Sequence, residues 1–153
     1  IGFIKDYISI KKYNNFQNLT LQCDVAAPLM ELPVLKLLLQ PFIENCIKHG
    51  FRNFEEDGII FLYAYLEEEQ LHIIIEDNGS GIRNDQIEQI LNLSCQTEED
   101  YSNIGIRSCI ERLRLQYGNR CTFSIDSDGQ SFTRISLSYP VKEDPHASDA
   151  SRR

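Results

Sequence analysis

Residues 58–77, GIIFLYAYLEEEQLHIIIED, contain two apolar runs separated by a short acidic stretch. The runs from Gly58 to Glu67 and from Gln70 to Asp77 are rich in aromatic and β-branched side chains, a composition typical of strands. Their closeness in the chain predicts an antiparallel hairpin. Three consecutive isoleucines, residues 73–75, indicate burial on both faces of the second strand. Long strands joined in a hairpin favour a mixed or antiparallel sheet over a regular alternation of strands and helices.

Helical and strand patterns surround this hairpin. Apolar residues recur at helical spacing in residues 1–16, 33–50, 85–93 and 106–117. The alternation typical of strands marks residues 19–25 and a last hairpin, 121–126 and 132–139. Pro41 lies inside the second helical pattern, where it predicts a kink. We therefore expect an α+β fold, a two-layer sandwich in which helices cover one face of a mixed, mostly antiparallel sheet.

Composition limits the classes of function. A chain of 153 residues with 42% apolar residues suffices for one domain with a single core. The chain has 15 Lys and Arg and 23 Asp and Glu, which gives a net charge of -8. This negative charge disfavours nucleic acid as a partner. A small anion would therefore need backbone amides and a divalent cation for much of its binding.

Other features of the chain concern its surroundings. No apolar run approaches the roughly 20 residues of a membrane span. The five cysteines are widely spaced and form no CxxC pair, which favours reduced, mostly buried thiols in a cytosolic domain. The chain begins at Ile1, inside a helical pattern, so we expect it to be part of a longer protein.

A polar stripe runs along the second helical segment. Asn45, Lys48, His49 and Arg52 recur at intervals that place them on one side of a helix. An amide oxygen suits Mg²⁺, whereas Lys and His suit phosphate oxygens. Glu44, one residue around the helix, would orient a water molecule or pair with Lys48. The alternative is a solvated helix face with an ordinary ion pair, and the stripe alone favours that alternative.

Two glycine-containing segments are further candidates. The most apolar strand is followed by Asp77, Gly79 and Gly81. Glycine lets a backbone approach a ligand closely. The carboxylate of Asp77 can accept a hydrogen bond from an amine such as that of adenine. Gly105 begins the last helical segment, where free amides can bind phosphate. Residues 94–103, polar and without periodicity, would form a mobile lid. The alternatives are an Asn-Gly turn and an ordinary helix start.

Four stretches, taken in order, resemble the ATP-binding domain of sensor histidine kinases, in particular the branch of LytS- and YehU-like sensors. They are LLLQPFIENCIKHGF, EDNGSGI, NIGIRSCIERLRLQYG and SFTRISLSYP. The resemblance covers roughly residues 3–140, and ordered motifs are far more specific than any one of them alone. It implies the histidine kinase-like ATPase fold, with a Bergerat-type (GHKL) ATP site between sheet and helices, and a protein histidine kinase activity.

The resemblance implies roles at the phosphate end of a bound ATP. Asn45 would bind Mg²⁺, and Lys48 and His49 would face the phosphates or the nucleotide. Gly105 would border the triphosphate under the lid. Glu44 belongs to the Glu-Asn pair of this branch, which makes it a candidate catalytic base beside Asn45 and Lys48.

The resemblance implies a second set of roles at the base end. Asp77 would accept a hydrogen bond from the adenine amine, and Gly79 and Gly81 would shape the base pocket. Thr133, from the last hairpin, would support the adenine. The implied cofactors are therefore ATP and Mg²⁺.

The same resemblance implies a domain organisation and partners. Residues 1–16 would be the end of a dimerisation and phosphoacceptor helix, residues 17–140 the catalytic domain, and residues 141–153 a disordered tail. The full-length protein would be a homodimeric membrane receptor whose cytoplasmic domain phosphorylates its own upstream phosphoacceptor domain. A cytoplasmic response regulator would then receive the phosphoryl group. Because the phosphoacceptor His segment is missing, we expect this fragment not to phosphorylate itself.

Departures from the family pattern keep other hypotheses open. Asn103 replaces the first glycine of the family's GxG motif, and Phe132 stands where a glycine usually precedes Thr133. These departures motivate a second hypothesis, a degenerate regulatory module that keeps the fold for protein contacts without turnover. A third, an ATPase of the gyrase or chaperone type, is disfavoured because Pro41 lies where those enzymes would carry a glutamate base.

Overall fold

The sheet of this protein is mixed and mostly antiparallel. The structure, a computed structural model, describes residues 2–14, 19–32, 38–51, 57–91 and 104–141. In these ranges five strands form one sheet in the order β1-β2-β3-β5-β4. They are β1 Leu19–Val25, β2 Gly58–Glu67, β3 Gln70–Asp77, β4 Thr122–Ser127 and β5 Thr133–Pro140. Strands β1 and β2 are parallel and the other neighbours are antiparallel, in agreement with the predicted mixed, mostly antiparallel sheet.

The predicted β2–β3 hairpin is present and lies in the interior of the sheet. Its register runs from Ile60 opposite Asp77 to Glu67 opposite Gln70. Alternate residues of β3 are buried, but Ile74, between two buried isoleucines, is only half-buried. The prediction that both faces of β3 are buried is therefore wrong, because helices cover one face of the sheet and leave the other open.

Helices pack on the face of the sheet that carries the core. They are α1 Gly2–Asn14, α3 Gln40–Asn45, α4 Asn84–Leu91 and α5 Ile104–Tyr117, whereas the one-turn helix α2 Ala27–Met30 has no buried residue. Their apolar residues, among them Phe42 and Ile110, join Ile75 and Tyr139 of the sheet in one core. This arrangement confirms the predicted α+β sandwich. The short helix α2 has no counterpart among the predicted elements.

The segment around Pro41 differs from the prediction. Pro41 lies in the first turn of α3, whose N-cap is Leu39. A proline is compatible with a first turn because its missing N–H would have no partner within the helix. The irregularity lies further on, at Cys46–Gly50, which forms a π-helical turn. There the Phe51 N–H donates to the Cys46 carbonyl at 3.1 Å, five residues back.

Several predicted features fall outside the described residues. They are the lid at residues 94–103, the side chains of Arg52 and Asn103, and residues 142–153 of the tail. Gly118 follows the end of α5 with a φ of 58°, the left-handed conformation that a glycine commonly adopts at the C-terminal end of a helix. No helix within the described ranges combines the length and the apolar character needed to cross a bilayer.

Candidate functional site

A cavity of about 130 Å³ lies between α3, the π-turn and the start of α5. It is lined by Pro41, Glu44, Asn45, Lys48, His49, Gly105 and Ile106. The structure thus brings the polar stripe together with the helix start at Gly105, two features that are about 60 residues apart in the chain. A Cβ on Gly105 would lie 3.1 Å from the Cβ of Pro41, so glycine allows α5 to approach α3 closely.

Charged groups at the cavity are held along one side of α3. Glu44 accepts a hydrogen bond from Gln40 Nε2 at 2.8 Å, and its carboxylate lies 3.5 Å from Lys48 Nζ. Lys48 is largely exposed, so this pair contributes little to stability and its ammonium group is available to an anion. Asn45 is 8% exposed and makes no hydrogen bond through its side chain to any residue of the described ranges.

Asp77 lies at the end of β3 on the core side of the sheet. It is directly opposite Thr133 of β5, and the two side chains are 1% and 3% exposed. Asp77 Oδ1 accepts a hydrogen bond from the Gly79 N–H at 2.9 Å. Burial raises the pKa of Asp77, while hydrogen bonds from the Cys46 thiol and the Gly79 amide act in the opposite direction. The predicted partners Asp77 and Thr133 are therefore neighbours.

Cys46 is a site residue that sequence reasoning missed. Its side chain is buried at the start of the π-turn, and its thiol interacts with the Asp77 carboxylate. Burial, followed by the charge of Asp77, raises the pKa of the Cys46 thiol, so the thiol keeps its proton and donates. The prediction that the cysteines are small buried residues holds for Cys46 and Cys109. The only sequence signal for a contact with Asp77 was the position of Cys46 next to Asn45.

The glycines after Asp77 have steric reasons of their own. A Cβ on Gly79 would lie 2.4 Å from the carbonyl oxygen of Gly50. Gly81 has a φ of 69°, and a Cβ there would lie 2.6 Å from the amide nitrogen of Gln130. The loop after β3 is therefore packed between the π-turn and the β4–β5 turn, whatever the glycines do for a ligand.

Gly50 links the two groups of predicted residues. It directly follows Lys48 and His49 in the π-turn, and a Cβ on it would lie 2.9 Å from Asp77 Oδ1. The cavity and the buried carboxylate are thus adjacent across this turn. All nine predicted site residues lie on α3, the π-turn, the start of α5, the end of β3 with its following loop, or the start of β5. They are Glu44, Asn45, Lys48, His49, Asp77, Gly79, Gly81, Gly105 and Thr133.

Comparison with known proteins identifies the family of this fold. The family described as "Histidine kinase-, DNA gyrase B-, and HSP90-like ATPase" matches residues 31–143. This chain belongs to that ATPase family. The chain is also similar in sequence to known sensor proteins. The ATPase domain is 26% identical over 147 residues to the sensor protein LytS of Staphylococcus haemolyticus. This match covers 92% of this chain and 24% of LytS.

The ATPase domain also resembles solved structures of histidine kinases. The catalytic domain of the histidine kinase ThkA matches with a TM-score of 0.67 at 14% identity, over 92% of each chain. Full-length ShkA in complex with AMPPNP matches with a TM-score of 0.66 at 16% identity, over 91% of this chain and 29% of ShkA. These matches confirm the fold. The chain spans about a quarter of the length of the curated relatives it matches.

Candidate metal ligands are few in the described part of this ATPase domain. No group of three or more His, Cys, Asp or Glu side chains in those ranges could hold a metal ion. The cavity instead offers one amide, that of Asn45. This donor set fits Mg²⁺, which typically takes one or two protein ligands and completes its coordination with water and substrate phosphates.

Proposed function

We propose that this chain is the ATP-binding catalytic domain of a two-component sensor histidine kinase, which transfers the γ-phosphoryl group of Mg-ATP to a histidine upstream. The observation that supports the proposal is that two chemically different groups of residues lie next to each other in one site. A buried carboxylate, Asp77, lies at one end, and a cavity with Asn45, Lys48 and the start of α5 lies at the other. An adenine nucleotide has the matching chemistry, an amine at one end and anionic phosphates at the other.

At the base end, Asp77 accepts a hydrogen bond from the exocyclic amine of adenine. A buried carboxylate discriminates well, because a base without a donor at that position leaves the charge unpaired. The Thr133 hydroxyl, opposite Asp77, offers a second polar contact to the base. Gly79 and Gly81 keep the loop after β3 free of side chains beside the base.

At the phosphate end, Lys48 and His49 face the triphosphate, and the free amides at the start of α5, beside Gly105, add partial positive charge. Asn45 supplies its amide oxygen to Mg²⁺, which when bound neutralises the negative charge of the phosphates. One local patch thereby holds an anion inside a domain of net charge -8.

Catalysis rests on positioning and charge neutralisation, because phosphoryl transfer asks little covalent chemistry of the protein. Glu44, held between Gln40 and Lys48, is the candidate base for the proton of the accepting imidazole. Pro41 lines the cavity where a gyrase-type ATPase would carry a glutamate base, which favours transfer to a protein histidine over hydrolysis.

The proposal extends to the parts of the protein beyond this domain. Relatives named as a sensor-like histidine kinase and as a sensor protein kinase, together with the AMPPNP complex of ShkA, support an upstream phosphoacceptor domain and ATP as the phosphoryl donor. We place residues 17–140 in the catalytic domain and residues 1–16 at the end of the helix that leads from the phosphoacceptor. A homodimeric membrane receptor with this domain in the cytoplasm, and a response regulator as acceptor, complete the assignment.

Calorimetric titration with Mg-ATP tests the proposal. Asp77→Asn is expected to weaken binding by about tenfold or more, since hydrogen bonds to charged groups contribute roughly 1.5–3 kcal/mol. Asn45→Ala is expected to remove the dependence of ATP binding on Mg²⁺. The matched controls are Asp126→Asn and Asn119→Ala, at exposed positions outside the cavity. Unchanged affinity in both test variants would contradict the assignment.

Two further measurements distinguish a loss of binding from a loss of folding, and the kinase proposal from the regulatory module without turnover. Burial disfavours the ionised form of Asp77, so Asp77→Asn is not expected to lower the free energy of unfolding at neutral pH. A loss of affinity with stability retained therefore reports on the site. No binding by the wild-type protein at millimolar Mg-ATP would instead favour the regulatory module without turnover.

A further inference from the structure

Two elements carry the two ends of the proposed nucleotide site. Asp77 is fixed by the sheet, where it pairs with Ile60 on one side and Thr133 on the other. Lys48 and His49 lie on the π-turn, which the sheet does not pair. A ligand that contacts both ends requires a set distance between them, so some contact must hold the π-turn against the end of β3.

Ser80 makes that contact. Its backbone N–H donates to the Gly50 carbonyl at 2.9 Å, and its hydroxyl donates to the His49 carbonyl at 3.3 Å. We refer to this pair of hydrogen bonds as the Ser80 clasp. The last carbonyls of a helix have no donors within the helix, so the end of the π-turn presents two acceptors in succession.

Close packing accompanies the clasp. The Gly79 backbone lies so near Gly50 that a Cβ would overlap the Gly50 backbone, and Gly50 itself lies against Asp77. Two glycines thus bring the backbones together, and Ser80 supplies the polar contacts that hold them there. The side chain of Ser80 is exposed and does not line the cavity, so it does not belong to the proposed binding groups.

We propose that Ser80 is a positioning residue that sets the distance between the base end and the phosphate end of the site. This inference rests on the proposed nucleotide binding. Loss of the hydroxyl leaves Asp77 in place, since the sheet holds it, but releases part of the hold on the segment that carries Lys48 and His49. The contribution of the phosphates to affinity then falls, while the contribution of the base stays.

Titration with two ligands, adenosine and Mg-ATP, tests the proposal on the whole chain. The measured quantity is the ratio of the two dissociation constants, which isolates the contribution of the phosphates. In Ser80→Ala, Mg-ATP is expected to bind about threefold to tenfold more weakly, the range for loss of one neutral hydrogen bond, with adenosine unchanged. Ser80→Thr keeps the hydroxyl and is expected to restore the wild-type ratio. Ser124→Ala, an exposed serine of β4, is the control.

The outcomes distinguish this inference from the proposed function. If the wild-type protein binds both ligands and Ser80→Ala leaves the ratio within about twofold, or weakens both ligands equally, the positioning role is wrong while nucleotide binding stands. If Ser80→Thr behaves like Ser80→Ala, the hydroxyl is not the cause and the role is also wrong. If the wild-type protein binds neither ligand, the proposed function fails and this inference fails with it.

Discussion

Gly79→Ala is expected to destabilise the protein more than a glycine substitution usually does. Gly79 does not have a positive φ, so the cost is steric. The added Cβ would lie 2.4 Å from the Gly50 carbonyl oxygen, and ordinary contact begins near 3.4 Å, so the two backbones must separate by about 1 Å. A separation of that size takes the 2.9 Å bond between the Ser80 N–H and the Gly50 carbonyl out of hydrogen-bond range.

The magnitude follows from these two effects. Overpacking costs about 1–3 kcal/mol and a lost hydrogen bond about 1 kcal/mol, so the free energy of unfolding should fall by about 2–4 kcal/mol. Gly118→Ala is the control, because its φ is 58° and nothing lies within 4 Å of the added Cβ; it should cost about 1 kcal/mol. Urea denaturation followed by circular dichroism measures both. A smaller loss for Gly79→Ala than for Gly118→Ala would refute the reasoning.

Three further predictions concern a turn, a titration and a loop. Glu68 and Glu69 have φ values of 47° and 65° in the two-residue β2–β3 turn, so Glu68→Asn combined with Glu69→Gly should raise the free energy of unfolding by about 1–2 kcal/mol. Urea denaturation measures this change, and an unchanged midpoint would count against the prediction. Mg-ATP affinity should fall as the pH drops through the raised pKa of Asp77. Cys46→Ala removes a hydrogen-bond donor to this carboxylate and should therefore move the loss of affinity to higher pH. Calorimetric titration with Mg-ATP at several pH values measures both effects. Hydrogen bonds from the Ser131 side chain and from turn amides lower the pKa of Asp128. Its stabilisation is therefore present above the unfolded-state pKa of the carboxyl and is lost as the pH falls from there through the lower folded-state pKa, so Asp128→Asn should flatten the acid limb of a stability–pH curve.

Local sequence patterns predicted much of this fold. The bounds of β1, β2 and β3 follow from alternation and from the β-branched composition of residues 58–77, and both are local properties. The end of α5 at Gly118 is also a local feature, because it depends on one residue that adopts a positive φ readily. The predicted site residues lie together because the ordered motifs mark elements that pack against one another.

Features that depend on distant contacts could not be predicted in this way. Residues 46–50 have the composition of ordinary helix, and their π-turn is held by the Ser80 clasp, whose donors come from a loop about 30 residues further on. The contact between Cys46 and Asp77 has the same origin. Ile74 is half-buried because only one face of the sheet is covered, which a run of isoleucines does not reveal. The strand order β1-β2-β3-β5-β4 likewise depends on pairings between distant segments.

Selectivity between Mg-ATP and Mg-GTP tests the central claim most directly. Guanine presents a carbonyl oxygen where adenine presents its amine, so the buried Asp77 carboxylate should accept a hydrogen bond from adenine and repel guanine. Calorimetric titration of this chain should show binding of Mg-ATP and at least about tenfold weaker binding of Mg-GTP, with the difference reduced in Asp77→Asn. Equal affinities for the two nucleotides, or selectivity that survives in Asp77→Asn, would contradict the account.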